Sequence, residues 1–495
     1  MKQYDLVVVG SGAGLMVLEA ALTQGLKCAI VEKSKFGGTC LTKGCIPSKM
    51  LVYPADLIRE AREAGRIGLS FQPPEADWAA ISRRLWTQIG HSEGIRRGLK
   101  STSGLDVYEG TAQFTAPKRM RVLYESGETT EEFSAGSFVL AAGARSFVPP
   151  VSGLEEAGYV TAETFFGEKY PKRPWKSLII VGGGAIGAEF AHIFSAFGAQ
   201  VTVVEMKDRI IPTEEEEISA FVRAQFEKNG IAVYTGAKAV SAVRDGALKT
   251  LVIEDTSGER RTLSAEEIFV ASGVRSNGDL LRADLAGVET DARGWIIVNE
   301  YLETNQPGVY AIGDINGKFQ FRHKANYEAG ILADNLFGGE RKAASYNAVP
   351  WAIFTWPQVA HVGLTASEAR AQGLQIGVAR NRYSSVAAGI AMGYQAGSAD
   401  DGFAKIILTR DMRIVGAHVA GPYAAMLVQP FVYLINAGCP CQTLSAMAPA
   451  AARRRLSEAC AGFGSVRPVA DSMVIHPSMN ELTAWAIGDV DWDAG

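Results

Sequence analysis

Two stretches of this chain repeat one pattern, and together they restrict the fold more than any other feature. Asp5–Val9 is a continuous apolar run of strand length. Gly10-Ser11-Gly12-Ala13-Gly14 follows, then a helical stretch to about Gly25, then a strand over Lys27–Val31 that ends at Glu32, 22 positions after Gly10. Ser177–Val181 opens the second copy. It runs through Gly182-Gly183-Gly184-Ala185-Ile186-Gly187, a helix over Ala188–Phe197 and a strand over Gln200–Val204, ending at Glu205, 23 positions after Gly182. A strand–glycine turn–helix–strand unit with an acid at its far end is built to bind a dinucleotide. Gly10, Gly12 and Gly14, and again Gly182, Gly184 and Gly187, let backbone approach a pyrophosphate, and the helix N-terminus offers its N–H groups. Glu32 and Glu205 would accept hydrogen bonds from an adenosine ribose. One glycine turn alone can belong to a doubly wound fold that binds nothing. Two of them, each with strand, helix and terminal acid in order, argue against that reading. The first copy departs from the pattern, because Leu15 stands where the third glycine belongs and Gly14 comes one position early. Its helix must pack on its strand in a modified way.

The segments that follow the two units also match. Phe138-Val-Leu-Ala-Ala-Gly143-Ala-Arg145 resembles Ile268-Phe-Val-Ala-Ser-Gly-Val-Arg275, each an apolar strand running into a glycine turn. Gly143 and Arg275 at these turns are candidate cofactor contacts. The second unit therefore reads as inserted into the first. The expected class is α/β: two Rossmann-like nucleotide-binding domains followed by a C-terminal α+β domain. The boundaries read as 1–150 and 275–347 for the first, 151–274 for the inserted second and 348–495 for the last. Cofactor choice is read at Glu205. A carboxylate there accepts from a free 2′-hydroxyl and repels a 2′-phosphate, and Met206-Lys207-Asp208-Arg209 forms no arginine clamp, so NAD is expected over NADP. Thr213 with Glu216 has the spacing of a capping box, which predicts a solvated helix start over Glu214–Glu217.

Composition excludes several other classes. Of 495 residues, 49 are Lys or Arg and 53 are Asp or Glu, a net charge of −4. That balance gives no support for a nucleic-acid partner or a polybasic membrane contact. The apolar run Leu6–Val9 is too short for an export signal, and no apolar stretch is long enough to span a bilayer. Six cysteines in a chain of this length make no disulfide scaffold. A cytoplasmic protein is expected.

Two of those cysteines lie just after the first unit, in Gly37-Gly38-Thr39-Cys40-Leu41-Thr42-Lys43-Gly44-Cys45-Ile46-Pro47-Ser48-Lys49. With four residues between them they can meet across one helical turn, and a disulfide there would close a very short loop beside a nucleotide site. Such a pair can cycle between dithiol and disulfide. The alternatives are a zinc half-site and two buried apolar residues. Zinc needs two further ligands, and no CxxC or HxxxH partner stands at a suitable spacing, so no metal is expected. Cys28, Cys439, Cys441 and Cys460 read as structural or incidental.

The segment GGTCLTKGCIPSK resembles the redox-active signature of the class I pyridine nucleotide–disulfide oxidoreductases. Thr304-Asn-Gln-Pro-Gly-Val-Tyr-Ala-Ile-Gly-Asp314 is similar to that family's second FAD motif, Arg322-His-Lys-Ala-Asn-Tyr-Glu328 to the helix after it, and the run from Val349 to Gly363 to the opening of its interface domain. The resemblance covers nearly the whole chain. It implies FAD at Gly10, Gly12 and Glu32, with Asp314 reaching the ribityl chain, and NAD(P) at Gly182, Gly184, Gly187 and Glu205. It implies a redox disulfide in which Cys40 exchanges with substrate and Cys45 lies against the flavin as the charge-transfer thiolate. It also implies that Lys49 and Glu189 meet near the flavin ring.

His476-Pro477-Ser478-Met479-Asn480-Glu481 resembles the family's HPxxxE pair, in which His476 would shuttle protons and Glu481 would orient the imidazole. In the family this pair reaches into the other subunit's site, so the resemblance implies a homodimer with shared active sites. His91, His192, His361 and His418 read as structural, and His323 as close to the flavin. Mercuric reductases lack the histidine, and glutathione reductases carry arginines where Met206 and Pro212 stand here. Dihydrolipoamide dehydrogenase is therefore the most similar branch, its partner a small dithiol or a lipoyl-carrying protein. Gly14-Leu15 and Met426-Leu-Val-Gln-Pro430 are also similar to mycothione reductases, which leaves a reductase of another low-molecular-weight disulfide, mycothione- or glutathione-like, as the alternative. A non-catalytic flavoprotein scaffold would need none of Cys40, Cys45, His476 and Glu481. The 38 residues from Gly438 to His476 exceed the expected connection. The extra stretch, Gln442 to about Arg467 with Arg453-Arg454-Arg455, reads as a solvated helix face, or else as a dock for an acidic carrier.

Overall fold

In the computed structural model the described residues are 1–339, 341–409, 414–436 and 471–476. The chain forms two compact units, Met1–Ala344 with Phe354–Trp356, and Ser345–Ile353 with Pro357–Gly495. The first unit starts from a parallel sheet in the order Leu105–Glu109, Cys28–Glu32, Lys2–Val9, Phe133–Leu140, Val309–Ala311. Arg119–Leu123 and Thr111–Ala116 add to it antiparallel. The central strands are covered on both faces, which is why they read as unbroken apolar runs: every residue of Cys28–Glu32 is buried. Phe114, Met120, Phe133, Phe138, Leu140 and Ile315 fill one side of this sheet. Val9 pairs with Val31 and with Leu140, and Leu140 with Ala311, so the strands' C-terminal ends finish level and open together on one edge.

After Leu140 the chain leaves this sheet through Ala144–Ser146 and builds a second one. Its four parallel strands lie in the order Ala232–Tyr234, Gln200–Val204, Ser177–Val181, Glu267–Val270. A three-stranded antiparallel sheet, Ala237–Asp245, Leu248–Asp255 and Arg260–Ala265, accompanies it. The chain returns through Val274–Ser276, which pairs antiparallel with Ala144–Ser146 and sets Arg145 opposite Arg275. Two like charges in that position repel. Asp279 lies between them, with its carboxylate 2.6 Å from Arg145 Nη2 and 2.7 Å from Arg275 Nη2. Those hydrogen bonds, Arg145's above all, hold the Asp279 carboxyl far below the usual carboxylate range.

The second unit is a five-stranded antiparallel sheet in the order Pro350–Ile353, Val359–Gly363, Ile414–Ala420, Phe403–Thr409, Ile376–Arg382. Helix Ala424–Asn436 packs against its first three strands. The fold is thus the expected α/β class with an α+β unit at the C-terminal side. Among the described residues no helix is long and apolar enough to cross a membrane.

Local expectations fare unevenly. The strands Ser177–Val181 and Gln200–Val204 form as read, but the helix between them starts at Ala185, directly on the glycine turn. The capping box at Thr213 does not form. The helix runs over Glu216–Lys228 from an N-cap at Glu215 with no side-chain cap, and Glu214 and Glu215 are buried rather than solvated. The cause is a turn at Ile211, whose φ of +48° sends the chain inward before the helix begins. Its carbonyl accepts the Glu214 N–H at 3.0 Å, and Glu214 in turn accepts the Glu215 N–H at 2.9 Å.

Candidate active site

The level strand ends of the first sheet open on a cleft of about 1130 Å³, its open mouth included. Ligands of doubly wound folds sit at this edge, where strand order reverses. Gly10, Gly12, Glu32, Cys40, Cys45, Gly143, Asp314 and Arg322 line the cleft together. Glu32 has a structural role at this edge. One of its oxygens accepts from Ser11 N at 2.9 Å and Ser11 Oγ at 2.7 Å, and the other from Ser34 N at 2.9 Å. The carboxylate thereby staples the glycine turn to the chain leaving the next strand. Glu205 does the same in the second copy, accepting from Gly183 N at 2.6 Å and Lys207 N at 2.8 Å.

The glycines divide into two kinds. At Gly10 (φ +100°) and Gly182 (φ +113°) a Cβ would lie 2.3 Å from the carbonyl oxygens of Ala141 and Ala271, so both turns exclude any side chain on packing grounds. Gly187 is a packing glycine as well, its Cβ position 1.9 Å from Gly182 O. In the first copy Gly14 takes over this work. A Cβ there would lie 2.7 Å from Val8 Cγ1 and 3.0 Å from Ala141 Cβ, which explains how the helix packs with Leu15 in the usual glycine place. Gly184 has nothing within 4 Å, and Gly12 meets only Arg322 Nη1 and Gly38 Cα, at 3.7 and 3.8 Å. These two turns are bare toward open space, as close approach of a pyrophosphate requires.

The cysteines do not share one helical turn. Cys40 lies in a short helix, Gly38–Thr42, and Cys45 opens a separate one, Cys45–Glu63, with the chain broken at Gly44. The two helices bring the Sγ atoms within 4.8 Å of one another. Cys40 is buried and Cys45 half-buried. At the first position of a 19-residue helix, Cys45 sits in the positive end of the helix dipole, which favours its thiolate. One turn on, Lys49 Nζ meets Glu189 Oε2 at 2.6 Å and lies 4.6 Å from the centre of the Phe354 ring. Glu189 Oε1 also accepts the Phe354 N–H at 3.1 Å.

Asp314 follows Gly313 in the turn Gly313–Asn316 and faces the cleft. Protein surrounds it on its other sides, and that burial pushes its carboxyl up to about 6. Lys324 and Arg322 oppose the rise, while Cys45 and Glu328 add to it. The turn is held from behind by a buried network that the sequence motif did not reveal. Lys324 Nζ donates to Gly313 O at 2.9 Å and Asn316 Oδ1 at 2.7 Å, and lies 3.1 Å from Glu328 Oε2. Glu328 accepts from Gly313 N at 2.7 Å and Asn316 Nδ2 at 2.9 Å. Both charged side chains are 0% exposed. Removing one member of such a pair leaves a buried charge, at a cost of about 3–5 kcal/mol. The legible signal was an i, i+4 Lys–Glu spacing, which sequence alone assigns to a solvated face.

Arg275 is engaged with Asp279 and does not line the cleft. His476 belongs to the second unit. The segment before it is tied to helix Ala424–Asn436 by buried Gln429, which accepts the Ile475 N–H at 3.1 Å and donates to Met473 O at 3.3 Å. Glu481, Cys439, Cys441, Cys460 and the stretch 442–467 lie outside the described residues.

The cleft fits FAD. Its bare glycine turn accepts a pyrophosphate, its strand-end acid a ribose, and its wall carries a cysteine pair next to a helix N-terminus. With a second dinucleotide layer in the same unit, this defines a flavin-dependent, pyridine nucleotide-linked disulfide oxidoreductase. The family model for pyridine nucleotide-disulphide oxidoreductases matches residues 4–329, and the model for that family's dimerisation domain matches residues 349–461. The chain is 34% identical over 440 residues to a dihydrolipoyl dehydrogenase of Chlamydia muridarum, covering 88% of this chain and 91% of that one. It is also 34% identical over 452 residues to a mycothione reductase of Mycobacterium tuberculosis, covering 88% and 94%. The fold matches the HOCl-induced flavoprotein disulfide reductase RclA of Escherichia coli, solved as a Cu(II) complex, with a TM-score of 0.77 and 23% identity over 99% of this chain and 100% of that one. The chain belongs to the pyridine nucleotide–disulfide oxidoreductase family, an enzyme family that uses FAD and NAD(P)H, and its dimerisation domain supports a homodimer.

The two kinds of glycine separate on mutation. Gly187→Ala is expected to cost about 1–3 kcal/mol of stability, because the turn must shift to admit the methyl group. Gly184→Ala is expected to leave the denaturation midpoint unchanged and to weaken nicotinamide dinucleotide binding, measured by titration of protein fluorescence. The Asp314 carboxyl makes a second prediction. Its folded value lies above the ordinary one, so its contribution to stability is full below about pH 4 and lost as pH rises through about 6. Urea unfolding of FAD-free protein should show this decline, and Asp314→Asn should flatten it.

Proposed function

We propose that this enzyme is a dihydrolipoamide dehydrogenase acting in the cytoplasm, passing electrons from dihydrolipoyl groups through Cys40 and Cys45 to NAD. The observation that carries the reading is the placing of both sulfurs, within 4.8 Å of one another, on the wall of a cleft whose other walls are Gly10–Gly12, Glu32 and Asp314. The similarity to dihydrolipoyl dehydrogenases supports the substrate class. FAD would be held by Gly10, Gly12, Gly14, Glu32, Gly143 and Asp314, and when bound it supplies the two-electron relay between dithiol and nicotinamide. NAD would be held by Gly182, Gly184, Gly187 and Glu205. The domains we assign are 1–150 with 275–347 for FAD, 151–274 for NAD and 348–495 for dimerisation.

In the proposed reaction a substrate thiolate attacks Cys40 Sγ. The Cys40–Cys45 bond breaks, a mixed disulfide forms on Cys40 and Cys45 leaves as a thiolate, stabilised by its place at the helix N-terminus. The second substrate thiol attacks the substrate sulfur of the mixed disulfide. Substrate disulfide and the Cys40 thiolate separate, and the electron pair remains with the enzyme. His476 of the partner subunit, oriented by its Glu481, takes the protons. Lys49 and Glu189 form a fixed ion pair beside the reacting end of helix Cys45–Glu63.

The second reading, an NAD(P)H-dependent reductase of another small disulfide, is favoured by the equal similarity to mycothione reductase. One assay distinguishes the two. Purified, FAD-loaded enzyme is expected to reduce NAD with dihydrolipoamide, with turnover lost by at least about 10³-fold in Cys40→Ser and His476→Ala. No turnover, with the flavin still reducible by NADH, would overturn the lipoyl reading and leave the second. Full dithiol oxidation by Cys45→Ser would sink the disulfide mechanism itself. A separate comparison of NADH with NADPH checks the Glu205 reading, which expects a preference for NADH of at least about tenfold.

A further inference from the structure

His192 reads from sequence as a structural histidine, yet it sits in a seam that joins the two halves of the redox machinery. Helix Cys45–Glu63 begins with a redox cysteine, and helix Ala185–Ala196 begins on the second glycine turn. The two pack against each other, and a row of polar pairs spans the contact. Lys49 meets Glu189 at 2.6 Å. One turn along the second helix, His192 Nε2 lies 2.8 Å from Asp56 Oδ1. One turn further, Arg59 Nη2 donates to Ser195 Oγ at 2.6 Å and Nη1 to Asn229 Oδ1 at 2.7 Å. His192 is 2% exposed and Arg59 4%. Burial pushes the Asp56 carboxyl up, and its hydrogen bond to His192 works against that rise, with Glu189 adding to it and Lys49 opposing it.

We propose that Asp56 and His192 are positioning residues for the nicotinamide half-reaction, fixing how the nicotinamide-binding helix lies on the cysteine-bearing helix. The argument is one of anchorage. Helix Cys45–Glu63 is held independently of this seam, by helices Gly38–Thr42 and Trp78–Ser101. The second layer leaves and rejoins the first through a pair of three-residue strands. Trp78 also packs on Phe194 and Phe197 at the far end of the Ala185–Ala196 helix, so loosening the seam lets that helix pivot there and swing its glycine-turn end while the cysteines stay in place. Lys49–Glu189, at the flavin end of the seam, is the pair whose alignment then suffers. Hydride transfer between two bound cofactors is intolerant of such shifts, since a misplacement near 1 Å costs about 10²-fold.

The inference rests on the family's flavin and nicotinamide chemistry and not on which disulfide is used, because NADH reduces the wild-type flavin in either reading of the substrate. Were wild-type flavin inert to NADH, that chemistry, and this proposal with it, would fall. The test is anaerobic stopped-flow on FAD-loaded holoenzyme, following flavin reduction by NADH and, separately, by dithiothreitol. In His192→Leu the NADH step should slow by at least about tenfold while the dithiothreitol step stays within about twofold and FAD content is unchanged. His192→Gln, which keeps an amide donor toward Asp56, should recover most of the NADH rate. Where the leucine variant does not fold, Asp56→Asn carries the same comparison. An unchanged NADH step, a parallel loss of both steps or failure of glutamine to rescue would each overturn the proposal, the last two by reducing the pair to a structural contact.

Discussion

Two carboxylates at the ends of parallel strands set the geometry on which the rest of the first unit depends. Glu32 and Glu205 each bind amides on both sides of a gap, one in the glycine turn and one in the segment that leaves the strand. Charge-assisted bonds of this kind are about twice as strong as neutral ones. They fix the turn before any ligand arrives, so the helix that follows each turn starts with its N–H groups already aimed outward. The acid proposed to meet a ribose is the same group that holds each glycine turn in shape.

The cysteine pair depends on that frame. Gly38 packs against Gly12, where a Cβ on Gly38 would lie 2.6 Å from Gly12 Cα, so the short helix carrying Cys40 rests directly on the first glycine turn. From there the break at Gly44 delivers Cys45 to the start of a long helix. On the far side of the cleft, the Lys324–Glu328 network holds Asp314 toward the same space. Three segments distant in sequence converge because the sheet ends level, and each carries its own local brace.

The parts legible in the sequence were those with a short-range period. Both fingerprints, the continuous apolar strands and the α/β class could be read from spacing alone, and the strands Ser177–Val181 and Gln200–Val204 form with the limits read for them. What escaped was set by tertiary contacts. The Thr213–Glu216 spacing suits a capping box, but the turn at Ile211 buries Glu214 and Glu215 instead. Cys40 and Cys45 read as meeting across one helical turn, but they stand five positions apart, and the break at Gly44 puts them on two helices that bring the sulfurs together. Lys324–Glu328 has the spacing of a surface ion pair, and only packing against helix Gly14–Thr23 and the turn Gly313–Asn316 makes it a buried one. Gly14 worked the other way: an apparent flaw in the motif proves to be the packing glycine, displaced by one position.

The paired strands Ala144–Ser146 and Val274–Ser276, pinned by Asp279, have a consequence for how such a chain evolves. Entry to and exit from the second layer occur side by side, across a ribbon three residues long. The first sheet takes up its strand at Val309–Ala311 whatever was built between. A different second layer, or a shortened one, can be spliced in at this ribbon without disturbing strand order at the cleft, provided its two ends keep one acid to reconcile two arginines and its helix keeps partners for Lys49, Asp56 and Arg59. The junction is a point of exchange as much as a point of attachment.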